Sequence, residues 1–276
     1  MVKIISDSTS DLTKELIDKL DISVIPLHIL LGNDEYRDGI DIRADENKTT
    51  PKTSAVSIDD TIEMFKCVLE EDRDIVAFAI SEDMSTTANV FRLAARELEA
   101  EDRIHVIDSE NLSTGIGHLV VEAAVMAGKG MSAADIEKNI LELRPRVRAS
   151  FVVDTLTYLH RGGRCSGLAA MAGGVLKLHP RIEVNNGKMN PGKKYRGRMK
   201  NVVLDYVKDM EEDLKKAKKD RVFITHSGCD KEIVDEVKNY LKQLDVFDEI
   251  YETRAGGVIS SHCGPGTLGV LFIAGE

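Results

Sequence analysis

The sequence predicts a two-domain α/β protein, and three observations carry this prediction. The chain has 276 residues, which exceeds the usual size of one domain. Short β-rich runs alternate with amphipathic helical patterns through the first half, and this order changes near Arg144-Pro145. We expect an N-terminal three-layer α/β/α domain with a mostly parallel sheet over residues 1–148. A C-terminal α+β domain with a mixed sheet follows over residues 149–276.

The first half reads as strands separated by helices. A helix cap is expected at Ser57, before the apolar stripe Ile58, Ile62, Phe65 and Leu69. Because crossover helices connect parallel strands, this order predicts a sheet covered on both faces. The strands are predicted at residues 2–5, 24–31, 75–80 and 104–107, with helices near 12–20, 58–69, 87–98, 112–127 and 136–143.

The second half mixes hairpin and crossover signals. A short helix is expected near Leu156 and is broken by the pair Gly162-Gly163. Asn186-Gly187 is typical of a tight hairpin turn. Strands at 151–153, 181–184 and 222–225, a long helix at 203–214, a helix at 233–241 and two closing strands complete the prediction.

Composition excludes several classes of protein. The formal net charge of −10 argues against a nucleic-acid-binding protein, since phosphate binding needs a basic face. The four cysteines are far apart in the sequence, and the seven histidines are scattered, so neither pattern predicts a metal centre. Neither a leader peptide nor a membrane-spanning run is apparent, so a cytoplasmic location is expected.

Polar loops follow the predicted strands and mark the expected ligand site. In parallel α/β sheets, ligands bind beside the carboxyl ends of the strands. The loops are Ser6–Asp11, Ser81–Thr87 and Asp108–Asn111, and Thr53–Ser57 precedes a helix at the same edge. Their hydroxyls and free N–H groups suit a carboxylate or a phosphate. An ordinary helix cap is the better explanation of any one loop, and it is the convergence of several loops on one edge that favours a ligand. His262 precedes a bent Gly264-Pro265-Gly266 turn and suits an anionic head group.

An enzyme is the alternative reading of these residues. Ser85 with His262 and Asp7 would form a nucleophile triad, yet Ser85 lacks the G-x-S-x-G surroundings of a nucleophile elbow. The segment Gly162–Gly167 resembles a phosphate loop only loosely, because it lacks the Gly-Lys-Ser/Thr ending. A small-anion hydrolase or phosphotransferase using Ser85 and His262 therefore stays open.

An ordered set of short motifs resembles the DegV family over nearly the whole chain. Each motif is weak alone, but their order along the sequence is specific. The motifs are Asp7-Ser8-Thr9-Ser10-Asp11-Leu12, Thr53-Ser54-Ala55-Val56-Ser57, Ser81 to Thr87, Val106-Ile107-Asp108-Ser109, Leu156 to Ser166, Tyr195-Arg196-Gly197-Arg198 and His262-Cys263-Gly264-Pro265-Gly266.

The resemblance implies a long-chain fatty acid as the ligand, bound in a cleft between two domains. The positions that match the family's head-group residues are Thr53 or Ser54, Ser85 with Thr86, and His262. Bacterial members of the family are fatty-acid-binding subunits of fatty acid kinase. The resemblance therefore implies a non-catalytic protein that presents its fatty acid to a separate ATP-binding kinase, with no further cofactor.

Other roles implied by the resemblance are less specific. Arg164 meets either the head group or the partner, together with Arg196 and Arg198. The residues expected along the acyl chain are equally compatible with core packing; they are Leu168, Ala169, Met171, Leu176 and Leu178. Three positions depart from the family pattern: Val56 replaces Pro, Thr86 replaces Gly and Cys263 replaces Thr.

Overall fold

The computed structural model describes residues 1–39, 51–165 and 178–275. The chain divides into two compact units: Met1–Pro145 with Gly256–Val258, and Arg146–Ala255 with Ile259–Glu276. The sequence-based boundary after residue 148 stays a prediction. The sequence did not predict that Gly256–Val258 belongs with the first unit, where Val258 is buried in the core.

The first unit contains a four-stranded sheet in which all neighbours are parallel. Its strand order is β2-β1-β6-β7. The elements of this unit are β1 (Val2–Asp7), α1 (Lys14–Lys19), β2 (Ile22–Ile25), β3 (His28–Leu31), β4 (Asp34–Arg37), β5 (Lys52–Ser54), α2 (Ile58–Glu70), β6 (Asp74–Ala79), α3 (Thr87–Glu97), β7 (Ile104–Asp108), α4 (Thr114–Gly128) and α5 (Ala133–Leu143).

Helices cover both faces of this sheet, as the sequence predicted. Helices α2 and α3 contact each other and β6, and α4 and α5 contact each other and β6. Side chains alternate between the faces of a strand. Ile75 and Ala77 of β6 therefore join the core beneath α2 and α3, where Phe65 meets Phe91 with 5.6 Å between ring centroids. The predicted cap of α2 forms, because Ser57 Oγ accepts from the N–H of Asp60 at 3.3 Å.

The predicted strand at 24–31 is two strands in different sheets. β2 ends at Ile25, and β3 begins at His28 in a separate antiparallel sheet of order β4-β3-β5. Pro26 lies between them, and proline has no N–H to donate to a strand ladder. The apolar run continues through this break, and for that reason periodicity alone predicted one strand.

The second unit contains a six-stranded mixed sheet of order β10-β9-β8-β13-β11-β12. Its neighbours are antiparallel except for β11 and β12, which confirms the predicted mixed sheet. The elements are β8 (Val147–Val152), α6 (Thr157–Gly162), β9 (Leu178–Asn185), β10 (Lys188–Arg196), α7 (Met199–Asp209), α8 (Glu211–Lys215), β11 (Arg221–His226), α9 (Lys231–Leu244), β12 (Glu249–Arg254) and β13 (Leu268–Ile273). Helix α10 (Gly257–Cys263) begins with two residues of the first unit, and its remaining residues belong to the second.

Glycines end the predicted short helix and form the predicted hairpin. Gly163 ends α6 with φ +66°, a left-handed conformation that favours glycine. Asn186 and Gly187 have φ of 48° and 77° between β9 and β10, as the favoured two-residue hairpin turn requires. Among the described residues, no helix has both the length and the apolar character needed to cross a membrane.

Tyr206 of α7 joins two strands at a gap in their pairing. The ladder between β8 and β13 pairs Phe151 with Gly269 and Arg148 with Phe272. Between these pairs, the Tyr206 hydroxyl donates to the carbonyl of Ser150 at 2.7 Å and accepts from the N–H of Val270 at 3.0 Å. Tyr206 is fully buried, so water cannot replace either bond.

Replacing Tyr206 with phenylalanine should therefore destabilise the second unit. Tyr206→Phe leaves the Ser150 carbonyl and the Val270 N–H without this partner, at an expected cost of about 1–3 kcal/mol in the free energy of unfolding. Urea unfolding followed by circular dichroism measures the difference. The matched control is Tyr195→Phe, which removes one hydroxyl bonded to the partly exposed Asp209 and should cost less. Equal losses in the two variants would contradict the bridging role.

Candidate functional site

Three loops meet at the carboxyl edge of the parallel sheet. They follow β1, β6 and β7, whose parallel directions bring their ends to one edge. The Ile80 N–H donates to Asp7 Oδ2 at 2.7 Å, and the Ser81 N–H donates to the Asn111 carbonyl at 2.9 Å. These bonds connect the loop after β6 to each of the other two.

Two buried aspartates organise this edge. Asp7 Oδ1 accepts from the N–H of Thr9 at 2.9 Å and from its hydroxyl. Asp11 Oδ2 accepts from the Ser113 hydroxyl at 2.5 Å, and its Oδ1 accepts from the Gly256 N–H at 2.8 Å. Burial raises the pKa of Asp7 to about 6 and that of Asp11 to about 8, and the hydrogen bonds oppose this rise.

Ser85 and Thr86 lie immediately before α3, and their side chains differ in exposure. Ser85 is half-buried; its Oγ lies 3.0 Å from Thr87 Oγ1 and accepts from the Thr87 N–H at 3.4 Å. Thr86 is exposed, and its side chain makes no capping bond to the helix. The Ser85 hydroxyl thus serves as a local cap and presents its oxygen at the start of α3, where N–H groups favour an anion.

Thr53 and Ser54 lie in a strand rather than in the predicted loop. They belong to β5, where Thr53 pairs with Ile29 and Ser54 pairs with His28. Thr53 is half-buried and Ser54 is exposed. Alternation along the strand therefore directs the two side chains to opposite faces of this small sheet, so only one of them can face a given ligand.

In the second unit, the His262 ring packs against the backbone of α6 at Gly162. His262 lies near the end of α10, and a Cβ added at Gly162 would lie 2.3 Å from His262 Nδ1. Burial, with the nearby charge of Arg164, lowers the pKa of His262 to about 4. The imidazole is therefore neutral at pH 7, with one ring N–H to donate.

The turn after His262 is held by a second close glycine contact. Gly264 and Gly266 have φ of +81° and +74°. A Cβ at Gly264 would lie 2.3 Å from the Tyr158 ring, so both the backbone conformation and the space exclude a side chain there. Tyr158 belongs to α6, so this helix contacts both His262 and the turn.

The three arginines occupy two places in the second unit. Arg164 follows α6, and its guanidinium donates to the Gly162 carbonyl at 2.7 Å, which places it at the end of the helix that His262 contacts. Arg196 ends β10, and Arg198 precedes α7; both are exposed. The structure thus brings Arg164 and His262 to one end of α6.

Sequence reasoning missed the partners of the buried aspartates. Asp38 is buried, accepts from the Ser8 hydroxyl at 2.7 Å and was not singled out in the sequence. Asp11 and Ser113 were not predicted to pair, because they are 102 positions apart.

Of the residues predicted along the acyl chain, Leu178 starts β9, and the others lie outside the described residues. Within the described ranges, no cluster of three or more His, Cys, Asp or Glu is placed to hold a metal ion.

The raised pKa of Asp11 predicts a pH-dependent stability of the first unit. A folded carboxyl with a pKa of about 8 keeps its proton at pH values where the unfolded carboxyl, at 3.8, has lost it. The free energy of unfolding therefore falls as the pH rises from about 4 to about 8, and Asp11→Asn should reduce this fall. Hydrogen exchange of β1 and β6 peptides, corrected for intrinsic rates, measures it.

The control for this prediction is Asp21→Asn. Asp21 is exposed, and its hydrogen bond from Lys3 lowers its pKa, so its linkage lies at more acidic pH. Asp21→Asn should therefore leave the slope of the free energy of unfolding against pH unchanged between about pH 4 and pH 8. Parallel slopes for Asp11→Asn and the wild type would refute a raised Asp11 pKa.

Comparisons with known proteins agree on one family. The family described as "Uncharacterised protein, DegV family" matches residues 1–275. A DegV domain-containing protein of Clostridium perfringens is 33% identical over 279 residues, covering 99% of this chain and 98% of that protein.

Two solved structures of similar fold are of proteins described as binding a fatty acid. A DegV family protein from Thermus thermophilus, described by its fatty acid binding, has a TM-score of 0.90 and 29% identity, covering 99% of both chains. A stearic acid-binding protein from Eubacterium ventriosum has a TM-score of 0.86 and 30% identity, covering 99% of this chain and 98% of that one. Fold, whole-length match and ordered motifs agree, and the chain belongs to the DegV family.

Proposed function

We propose that this protein binds one long-chain fatty acid and presents it to a separate ATP-binding kinase. The observation that carries the proposal is the neutral, half-buried imidazole of His262 beside the charge of Arg164. The fatty-acid-binding relatives support the choice of ligand. This is a binding function, in which the chain holds the substrate and the partner supplies the phosphoryl transfer.

The proposed head-group site uses hydroxyls and the imidazole. Thr53 or Ser54, Ser85 with Thr86, and His262 hold the carboxylate by hydrogen bonds. A carboxylate removed from water needs several donors, and bonds to a charged acceptor are stronger than neutral ones. Because the pKa of His262 is lowered, its imidazole is neutral and has one ring N–H. This N–H would donate a hydrogen bond to a bound carboxylate.

The acyl chain supplies most of the affinity in this proposal. At about 0.8 kcal/mol per buried CH₂, a chain with about fourteen methylenes gains about 11 kcal/mol before the costs of association and ordering. The polar groups contribute less affinity and set the direction in which the acid lies. A fatty acid should therefore remain bound through purification, whereas short carboxylates should not.

The first test is the lipid content of the purified protein. Mass spectrometry of a solvent extract should recover a long-chain fatty acid from the wild type, and Ser85→Ala and His262→Ala should each weaken binding of added fatty acid by about 1–3 kcal/mol. Ser132→Ala, at an exposed cap of α5, and His105→Gln, at a part-buried pair with Glu137, are the controls. An empty protein that hydrolyses an ester or phosphate through Ser85 would favour the enzyme alternative instead.

Gly162→Ala separates a local effect on His262 from unfolding. Alanine suits a helix better than glycine, so the fold of α6 should persist. Its methyl group would force the His262 ring to move, because the two atoms would otherwise lie 2.3 Å apart. Weaker fatty acid binding with unchanged thermal stability is the expected result, and unchanged binding would count against His262 as a head-group donor.

The kinase part of the proposal needs its own measurement. Loaded protein, ATP and an extract of the native host should yield acyl phosphate, trapped as the hydroxamate. The double variant Arg196→Glu with Arg198→Glu should lose this product and keep its fatty acid, because both side chains are exposed and suit an acidic partner surface. Lys242→Glu, an exposed charge reversal on α9, is the control. Full turnover by the arginine variant would refute their role at the partner interface.

A further inference from the structure

Thr87, the first residue of α3, contacts the proposed head-group serine through its side chain and its main chain. Thr87 is fully buried, whereas Ser85 is half-buried. The oxygens Thr87 Oγ1 and Ser85 Oγ lie 3.0 Å apart, and the Thr87 N–H donates to Ser85 Oγ at 3.4 Å. Both residues belong to the first unit, so this arrangement is set within that unit.

Burial decides the direction of the hydrogen bond between the two hydroxyls. Such a bond can run either way, because each hydroxyl has one proton and two lone pairs. Among the described residues, Ser85 Oγ is the one hydrogen-bond partner of the Thr87 hydroxyl. If Ser85 were the donor, the Thr87 proton would be buried without an acceptor, which is unfavourable. The Thr87 hydroxyl therefore donates to Ser85 Oγ.

This direction leaves Ser85 with one free function, that of a donor. Its oxygen accepts from the Thr87 hydroxyl and from the Thr87 N–H, so Thr87 occupies both of its lone pairs. The proton of the Ser85 hydroxyl is not used in either bond. An ionised carboxylate has only acceptors, and a hydroxyl restricted to donating is complementary to it.

The main chain of Ser85 is held independently of the Thr87 hydroxyl. The Ser85 N–H donates to the Ser81 carbonyl at 3.0 Å, and the Ser81 N–H donates to the Asn111 carbonyl at 2.9 Å. The start of α3 is anchored by Ala88, which is fully buried in the core. Removing the Thr87 hydroxyl would therefore free the Ser85 side chain to rotate and leave its main chain in place.

We infer that Thr87 is a positioning residue that fixes Ser85 as a donor to the ligand's carboxylate. Thr87 acts through Ser85, since its own hydroxyl proton is already donated to the serine oxygen. The inference rests on the proposed function, in which Ser85 holds the head group. Thr87 closes the motif Ser81 to Thr87, but the sequence predicted no role for it.

The first test compares Thr87→Val with Thr87→Ser in binding of cis-parinaric acid, a fluorescent fatty acid. Valine keeps the branched shape and lacks the hydroxyl, so affinity should fall about fivefold, the size expected for one hydrogen bond. Serine restores the hydroxyl and should restore most of the affinity. In displacement assays, Thr87→Val should lose more affinity for hexadecanoic acid than for hexadecanol, because only the acid offers a charged acceptor.

A double-mutant cycle separates positioning from a general structural effect. If Thr87 acts through Ser85, Thr87→Val should cause no further loss of affinity in a Ser85→Ala background. The matched control is Thr61→Val in α2, because Thr61 is also fully buried and its hydroxyl donates to the Ser57 carbonyl at 2.7 Å. This control should lower thermal stability and leave the affinity unchanged.

NMR of the ligand-free protein tests the direction of the bond itself. In a mixture of equal volumes of H₂O and D₂O, a slowly exchanging hydroxyl splits the ¹³Cβ signal of its residue into two. The buried, donating Thr87 hydroxyl should give two signals, and the free Ser85 hydroxyl should give one averaged signal. Splitting at Ser85, or a single signal at Thr87, would overturn the inferred direction.

The outcomes distinguish this inference from the proposed function. Equal losses of affinity from Thr87→Val in the wild-type and Ser85→Ala backgrounds would refute the positioning role, and so would equal losses for the acid and the alcohol. If the wild type binds no fatty acid, the proposed function fails. The NMR signals of the ligand-free protein still decide in that case whether Thr87 fixes Ser85 as a donor.

Discussion

The buried carboxyl groups of Asp7 and Asp11 are the constraint on which the first unit depends. A carboxyl group removed from water must be neutral or fully bonded, and often it is both. The donors that satisfy these two groups come from the loops after β1 and β6, from Ser113 and from Gly256. The need for donors therefore draws together segments that are far apart in the sequence.

In the second unit, the corresponding constraint is the close approach of side chains to the backbone at two glycines. Gly162 and Gly264 have no side chains, and this allows the His262 ring and the Tyr158 ring to pack directly on the main chain. The resulting burial keeps the imidazole neutral, with Arg164 acting in the same direction. A neutral imidazole can donate one ring N–H to an anion, which is the role that the proposed binding function gives it.

The departures from the family pattern have different structural consequences. Val56 is buried in the core with α2 and α3, so it gains packing where proline would fix the backbone. Cys263 is buried, and its carbonyl accepts from Thr267 at 3.0 Å. Thr86 is exposed before α3 and adds bulk where the family has glycine. We therefore expect Thr86, rather than the other two, to influence which ligand fits.

Local patterns in the sequence determined the elements and the class of fold. Apolar periodicity located the strands and helices of the parallel sheet, because burial of one face depends on residues near one another in the chain. Glycine and asparagine chemistry located the α6 terminus and the hairpin at Asn186-Gly187. The apolar run across Pro26 was predicted as one strand, since its two halves differ only in their partners.

Only the tertiary structure decided which distant groups meet. Asp11 reaches Gly256 across 245 positions, and Asp38 reaches Val258 across 220. Neither pair has a local signature, because a buried acid and a surface acid look the same in a sequence. The pKa values of Asp11 and His262 follow from burial, which depends on everything packed around them. The sequence thus determined the chemical groups available, and folding determined their partners, charges and directions.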